Sequence, residues 1–443
     1  FFAFQGGETF TLTLVEFKPG LSLAFEVEQL GFVFALVASS LWVVTHIYGI
    51  GYMRGNNEKN HARFFACFAF AIFAALGIAY SANLLTLFLF YELLTVSTYP
   101  LVAHKGTPEA VRGARVYLGI LMGTSIFFFL PAIVWTWSIA GTTQFTPGGV
   151  FDGAQVSPLF MGILLALFAF GIGKAALMPF HKWLPAAMVA PTPVSALLHA
   201  VAVVKAGVFT MVKVGVYVFG IDNLHTTGAS HWLVWVAAGS IILASLIAMS
   251  QDNLKKRLAY STVSQLSYIT LYMALASPGS AVDGGMHIVT HAFAKITLFM
   301  CAGSIYVATH KTEISDMRGL GREMPFTFIA FGLGAIAIIG MPPLSGSFDK
   351  WTTLATAKSL DYQIAYGAFL ISAFLNVVYL LPIAIRGFFG EPSEGQKKSS
   401  SIAEAPWFCV LPPVITALGC FVVFAAAKDI KAFLAPIVMQ AGG

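Results

Sequence analysis

GIGKAALMPFHKWLPAAMVAPTPVSALLHAVAVVKAG, residues 171–207, is the stretch whose reading decides the fold. It places Lys174 in an apolar span and breaks that span with Pro179. Pro185, Pro191 and Pro193 follow, and a second apolar span carries His199 and Lys205. An ammonium at the centre of a bilayer helix costs about 2.5–3.5 kcal/mol on insertion scales. Two of them about thirty residues apart, beside a helix break, point to a path for charge through a membrane.

The rest of the composition agrees. Hydrophobic residues make up 58% of the 443-residue chain and charged residues 10%, against about a quarter charged in a soluble domain. Apolar runs of about twenty residues alternate with short polar loops, which is helix spacing and not the weak alternation of a β-barrel. Spans are expected near 30–50, 62–82, 84–103, 115–140, 157–178, 193–219, 232–250, 258–276, 284–309, 326–345, 363–386 and 407–427, with 348–358 continuing the broken tenth span. The fold class is therefore all-α, a polytopic membrane helical bundle.

Basic residues alternate between loops. Arg54, Lys59, Arg63, Lys105, Arg112, Arg115, Lys182, Lys255, Lys256, Arg257, Lys311, Arg318, Arg322, Arg386, Lys397 and Lys398 fall in one set. The opposite set holds Lys18, Lys358, Lys428 and Lys431. The rich set marks the cytoplasmic side. The net charge of +5 thus reflects topology and does not indicate nucleic-acid binding. Cys67, Cys301, Cys409 and Cys420 all lie in apolar runs without a C-x-x-C pair, and read as packing residues. No nucleotide-binding glycine motif occurs, so the chain is read as part of a transporter and not an enzyme, with no cofactor and no metal expected.

Four regions follow. Residues 1–30 contain LTLVEFKPGLSLAFEV (12–27), which reads as an external hairpin turning at Pro19-Gly20. Residues 31–390 form the transmembrane core of about eleven visible spans, 391–406 a cytoplasmic linker, and 407–443 a last span with an external tail. The chain has no initiator methionine and no signal-peptide pattern, so residues upstream are expected to be missing. Pro179 and Pro342-Pro343 break two spans, each beside a lysine, Lys174 and Lys350. Paired broken segments in two halves are the sequence sign of an inverted-repeat transporter.

The ionisable groups inside the spans are the candidate site. Glu92, in NLLTLFLFYELLTVSTYP (83–100), has no local charge partner. It is either a protonated, hydrogen-bonded structural group or the partner of a cation from another helix, and Lys174 is the natural candidate. Lys174 and Lys205 suit proton exchange because a desolvated lysine can release its proton where arginine cannot. Lys213, nearer the end of its span, reads as snorkelling and is left out. His287, His291 and Lys295 are spaced i, i+4, i+8, on one helix face with about 6 Å between successive groups. Imidazole accepts on one nitrogen and donates from the other, so this face can act as a proton wire. A metal site is the rival at that spacing, disfavoured by the adjacent lysine. His199 could bridge toward Lys205 from about 9 Å along the same helix. Asp349 either neutralises Lys350 or turns away.

Together, NLLTLFLFYELLT, the 171–207 stretch, QDNLKKRLAYSTVSQLSY (251–268), HIVTHAFAKITLF (287–299) and GMPPLSGSFDKW (340–351) resemble the antiporter-like proton-conducting subunits. That family is shared by respiratory complex I, membrane-bound hydrogenases and Mrp-type cation/proton antiporters. The resemblance covers residues from about 20 to 390. It implies fourteen core helices in two inverted five-helix repeats, each with a broken helix, the first two helices being absent here. It also implies that Glu92 is the family's helix glutamate, Lys174 its broken-helix lysine and Lys205 the next helix's lysine. His287, His291 and Lys295 then form its His/Lys group, and Lys350 is the second broken-helix lysine. The short C-terminal region lacks the long lateral helix of the largest antiporter-like protein of complex I, and overall the chain looks most similar to the D-type Mrp proteins. The paired histidines are shared with the largest antiporter-like protein of complex I and with the A-type Mrp proteins. The implied function is proton translocation in exchange for Na⁺, in a cell (inner) membrane, beside other membrane subunits and with no nucleic acid. A redox-driven proton pump and a proton-coupled inorganic-carbon uptake system are the alternatives.

Overall fold

The computed structural model describes residues 10–151, 156–391 and 402–438. The centre of the 150–157 loop, most of the 391–406 linker and the end of the tail lie outside the described residues. Strands β1 (Thr11–Lys18) and β2 (Leu21–Glu26) pair antiparallel, from Thr11↔Glu26 to Lys18↔Leu21.

Helices follow the hairpin: α1 (Gln29–Gly55), α2 (His61–Ala79), α3 (Leu84–Val102), α4 (Pro108–Ala140), α5 (Pro158–Gly171), α6 (Thr192–Phe219) and α7 (His231–Ser250). The second half continues with α8 (Leu254–Ala274), α9 (Pro278–Thr309), α10 (Pro325–Ile339), α11 (Ser347–Ser359), α12 (Gln363–Phe389), α13 (Trp407–Ala425) and the short α14 (Ala427–Leu434). Their starts follow local chemistry. The Glu28 carboxylate accepts from the Leu30 and Gly31 amides ahead of α1, at 2.9 and 2.7 Å. Asn83, Thr107, Ser157, Asn253 and Ser277 cap later helices through side-chain oxygens, three of them with proline in the first turn.

Among the described residues nine helices are long and apolar enough to cross a membrane, and the protein is a multi-pass membrane protein. Two expected spans are shorter than the sequence suggested. α5 stops at Gly171, so Lys174 sits beyond the helix in a single 3-10 turn, Gly173–Ala175, and not within a span reaching residue 178. The glycine-rich GIG sequence and the coming Pro179 leave little to sustain the helix. α10 stops at Ile339 ahead of Pro342-Pro343, and α11 resumes at Ser347. α8 is a third departure. It is helical but too polar to count as a lipid-facing span, because Ser261, Thr262, Ser264, Gln265, Ser267 and Thr270 all face the interior.

α6 and α9 form the centre. In their most apolar windows 100% and 94% of residues are buried, against 33–50% in the other candidate spans. Ionisable residues on these two helices therefore face protein and not lipid, the placement that makes them tolerable in a membrane. Close approach sets the first break against α6. A Cβ on Gly207 would lie 2.3 Å from the Lys174 carbonyl carbon and from the Ala175 amide.

That contact yields a stability test. Gly207→Ala should lower stability by about 1–3 kcal/mol, the usual cost of overpacking, read as a lower Tm in detergent. Gly119→Ala, where nothing lies within 4 Å, should change it by no more than about 0.5 kcal/mol.

Candidate functional site

The central cluster joins α6, α9 and α11. The Lys205 Nζ lies 2.6 Å from the His291 Nδ1, both side chains being fully enclosed. His291 stacks on His287 with ring centroids 5.9 Å apart, as their four-residue spacing on α9 requires. The His287 Nδ1 in turn meets the Asp349 carboxylate across the helix interface. Asp349, left open by the sequence, thus turns to His287 and not to its neighbour Lys350.

Lys350 takes the main-chain carbonyl of Ile338. In an unbroken helix that carbonyl would accept from the amide four residues on, but residue 342 is proline and has no N–H. The break therefore frees the acceptor that solvates the lysine. The Tyr268 ring lies 5.0 Å from the same ammonium.

At the first break the expected Glu92–Lys174 ion pair is not closed. The Lys174 Nζ donates to the Tyr91 carbonyl at 2.8 Å and to the Thr95 hydroxyl at 2.6 Å. It also lies 3.2 Å from the centre of the Tyr91 ring, a cation–π contact. Glu92 acts on it only at longer range, and both its carboxylate oxygens are buried without a hydrogen bond. Three electron-rich neutral groups already satisfy the amine, so it has no need of the carboxylate. The Trp183 indole N–H holds the break by donating to the Gly173 carbonyl at 2.9 Å.

Lys295 shares the histidine face but turns to α8, donating to the Ser261 hydroxyl at 2.7 Å. Tyr379 of α12 donates to the same oxygen at 2.9 Å. Lys205 and Lys350 both act on Lys295 through space. His199 sits on a π-helical turn, Leu197–Val201, its ring tilted against Phe299 with centroids 4.6 Å apart, and both its ring nitrogens are buried and unbonded. It touches neither Lys205 nor Lys295. The structure thus brings Lys205, His291, His287 and Asp349 into one connected group, and keeps Glu92, Lys174, His199, Lys295 and Lys350 as separate stations.

Lys213 corrects the sequence reading. It does not snorkel: it is 1% exposed and donates to the Ser81 carbonyl at 2.8 Å, with the Glu28 carboxylate at 3.3 Å. Tyr217 donates to the same carboxylate at 2.9 Å. Glu28 precedes Lys213 by 185 positions, and nothing local in the sequence pairs the two. Sequence reasoning also missed Ser261, Tyr379 and Gln265. Gln265 is fully enclosed and unbonded at both side-chain polar atoms. The signal was the unusual polarity of α8. A buried polar atom without a partner costs about 1–3 kcal/mol, so Gln265, His199, the His287 and His291 Nε2 atoms and Asp349 Oδ1 are natural positions for water. A cavity of about 460 Å³ opens near one end of α6 and α9, walled by Lys105, Lys255, Lys311, Thr192, Ala302 and Tyr306 among others.

The comparisons with known proteins fit this geometry. Residues 81–376 match the family described as "NADH:quinone oxidoreductase/Mrp antiporter, TM", and residues 18–65 match "NADH-Ubiquinone oxidoreductase (complex I), chain 5 N-terminus". The chain is 32% identical over 438 residues to a probable K(+)/H(+) antiporter protein of the A/B type from Rhizobium meliloti (strain 1021), covering 96% of this chain and 43% of that one. It is 31% identical over 441 residues to NADH-quinone oxidoreductase subunit L of Mycobacterium tuberculosis, covering 95% and 66%. Another relative, NAD(P)H-quinone oxidoreductase subunit 5 of Paulinella chromatophora, is 31% identical over 84% of this chain and 56% of its own. The chain therefore spans between 43 and 66% of the length of these relatives. Among solved structures, the Mrp complex from Dietzia sp. DQ12-45-1b superposes with a TM-score of 0.83 at 25% identity, covering 98% of this chain and 47% of that one. The archaeal membrane-bound sulfane sulfur reductase shares the fold at a TM-score of 0.85 and 21% identity, covering 99% and 88%. The matched region contains both broken helices and every candidate station from Glu92 to Lys350, and the chain belongs to the NADH:quinone oxidoreductase/Mrp antiporter membrane family.

Proposed function

We propose that this chain is the proton-carrying membrane subunit of a multi-subunit monovalent cation/proton antiporter in the cell (inner) membrane. Protons move along Glu92, Lys174, His199, Lys205, His287, His291, Lys295 and Lys350, with Asp349 as an accessory group. The observation that carries the reading is the Lys205–His291 contact of 2.6 Å between two wholly enclosed helices, continued by His287 to Asp349. An amine and an imidazole at that distance share one hydrogen, and either can hold it. A proton taken up on one ring nitrogen of His291 leaves from the other. The Nε2 atoms of His291 and His287 are both buried without a protein partner, where water can link the two rings. Lys205 and Lys350 each act on Lys295 through space, so a proton arriving on either favours release from Lys295. The two halves around the two breaks are the proposed inverted repeats.

A second reading has a specific support. The subunit L relatives match nearly the whole chain, and a subunit of that kind would be driven by redox partners and not by a cation gradient. The same side chains would carry protons in both. In the antiporter reading, the intact assembly in liposomes shows proton flux when a Na⁺ or K⁺ gradient is imposed. Flux that follows only quinone or sulfur reduction overturns it in favour of the second.

Proton conduction itself is tested by two substitutions. Lys205→Ala should lower flux by about tenfold or more with assembly unchanged. Lys205→Arg should not restore it, because the guanidinium holds its proton. Full flux in either removes Lys205 from the path. Orientation has its own test: Lys428→Cys should react with an impermeant maleimide from outside intact cells, and Lys256→Cys only after permeabilisation.

A further inference from the structure

Four residues before His287, the same helix face carries a carboxylate that the proton path above does not use. Asp283 is 1% exposed. With His287, His291 and Lys295 it extends the stripe to i, i+4, i+8 and i+12, about 18 Å along the axis of α9. Its Oδ2 accepts from the hydroxyls of Thr352 and Thr353 on α11, each at 2.7 Å. Its Oδ1 is paired with the ammonium of Lys431 on α14.

α9 and α11 therefore face each other in two rungs. His287 meets Asp349 on the inner rung, and Asp283 meets Thr352 and Thr353 on the outer one. Asp349 and Thr353 are four residues apart, so about 6 Å separates the rungs, a gap one water spans. The outer rung is also where the path meets solvent. Lys431 is 21% exposed and Thr352 is part-buried, while Asp283, Thr353, His287 and Asp349 are enclosed. α14 is brought onto α9 by small residues: a Cβ on Gly285 would lie 3.2 Å from both Leu434 and Leu30. The side follows from the basic loops, since α9 begins opposite Lys255–Arg257 and α14 belongs to the lysine-poor set.

We infer that Asp283, held by Lys431, Thr352 and Thr353, is the outer port of the path, the carboxylate from which a proton passes to or from external water. The inference rests on the proton-conducting reading of the chain. A proton leaving the His287–Asp349 pair protonates Asp283. Neutralising that carboxylate removes the charge that Lys431 answers, and the ammonium swings toward water. Loss of the proton to the outside restores the carboxylate and draws Lys431 back. A buried ion pair is poor evidence for a stabilising role. This one lies where the titratable stripe ends and solvent begins.

The experiment uses the intact assembly in liposomes of known orientation. Asp283→Asn, nearly isosteric, should lower proton flux by about tenfold or more, and Asp283→Glu should keep most of it. In Asp283→Gly, formate supplied on the outer side should restore flux, because a small weak acid can carry a proton into the opened space. Formate on the inner side should not. A structural pin would lose assembly and flux together and would ignore formate, which overturns the outer port. Lys205→Ala separates the two readings. If it abolishes flux while Asp283→Asn keeps it, the port is wrong and the path stands. If it leaves flux intact, the path falls and the port with it.

Discussion

An ammonium facing hydrocarbon is costly, and the bundle keeps Lys174, Lys205, Lys213 and Lys295 enclosed. α6 and α9 are enclosed by the other helices along nearly their whole length, which converts a lipid-exposure cost into a problem of solvation by protein. Each buried amine solves it differently. Lys174 lies against a tyrosine ring, a carbonyl and a hydroxyl. Lys205 meets an imidazole, Lys295 a serine, and Lys350 a carbonyl freed by Pro342. Among Lys174, Lys205, Lys295, the part-buried Lys350 and Lys213, only Lys213 has a carboxylate within ion-pair distance.

That distribution bears on function. An ammonium paired with a carboxylate is held charged, while one solvated by neutral groups can give up its proton without leaving a bare buried anion behind. Neutral partners dominate the interior. Direct lysine–carboxylate pairs occur at the rim, Glu28 with Lys213 and Asp283 with Lys431, both near the face proposed as external. On the path proposed above, protons would thus move where the amines have neutral partners. The broken helices serve the same end. The second break frees the Ile338 carbonyl for Lys350, and non-helical backbone of this kind is tolerated at membrane depth only where protein or a water-filled cavity adjoins it.

The same interior could serve a cation-driven or a redox-driven assembly, because nothing in the relay depends on where the energy comes from. What distinguishes them lies in the partner chains. The relatives reflect this, since both antiporter and quinone oxidoreductase proteins match nearly the whole chain.

Membrane class, helix positions and the choice of ionisable residues were legible in sequence because they rest on local physics. An apolar run of twenty residues is a helix wherever it sits, a capping side chain acts within three residues, and a lysine in such a run is conspicuous from its cost alone. Partnerships were not legible, because they depend on contacts between residues far apart in the chain. The Glu92–Lys174 pair looked natural, yet Tyr91 and Thr95, one and three residues from Glu92, took the amine. Lys213 looked like a snorkelling residue until Glu28, 185 positions earlier, was folded against it. Asp283 carried no signal beyond its spacing to His287. The sequence by itself determined which spans carry ionisable groups and, on α9, that His287, His291 and Lys295 share one helix face. Only the tertiary structure decided what each one touches, since that is set by how α6, α9 and α11 cross, and crossing geometry is a property of the packed bundle.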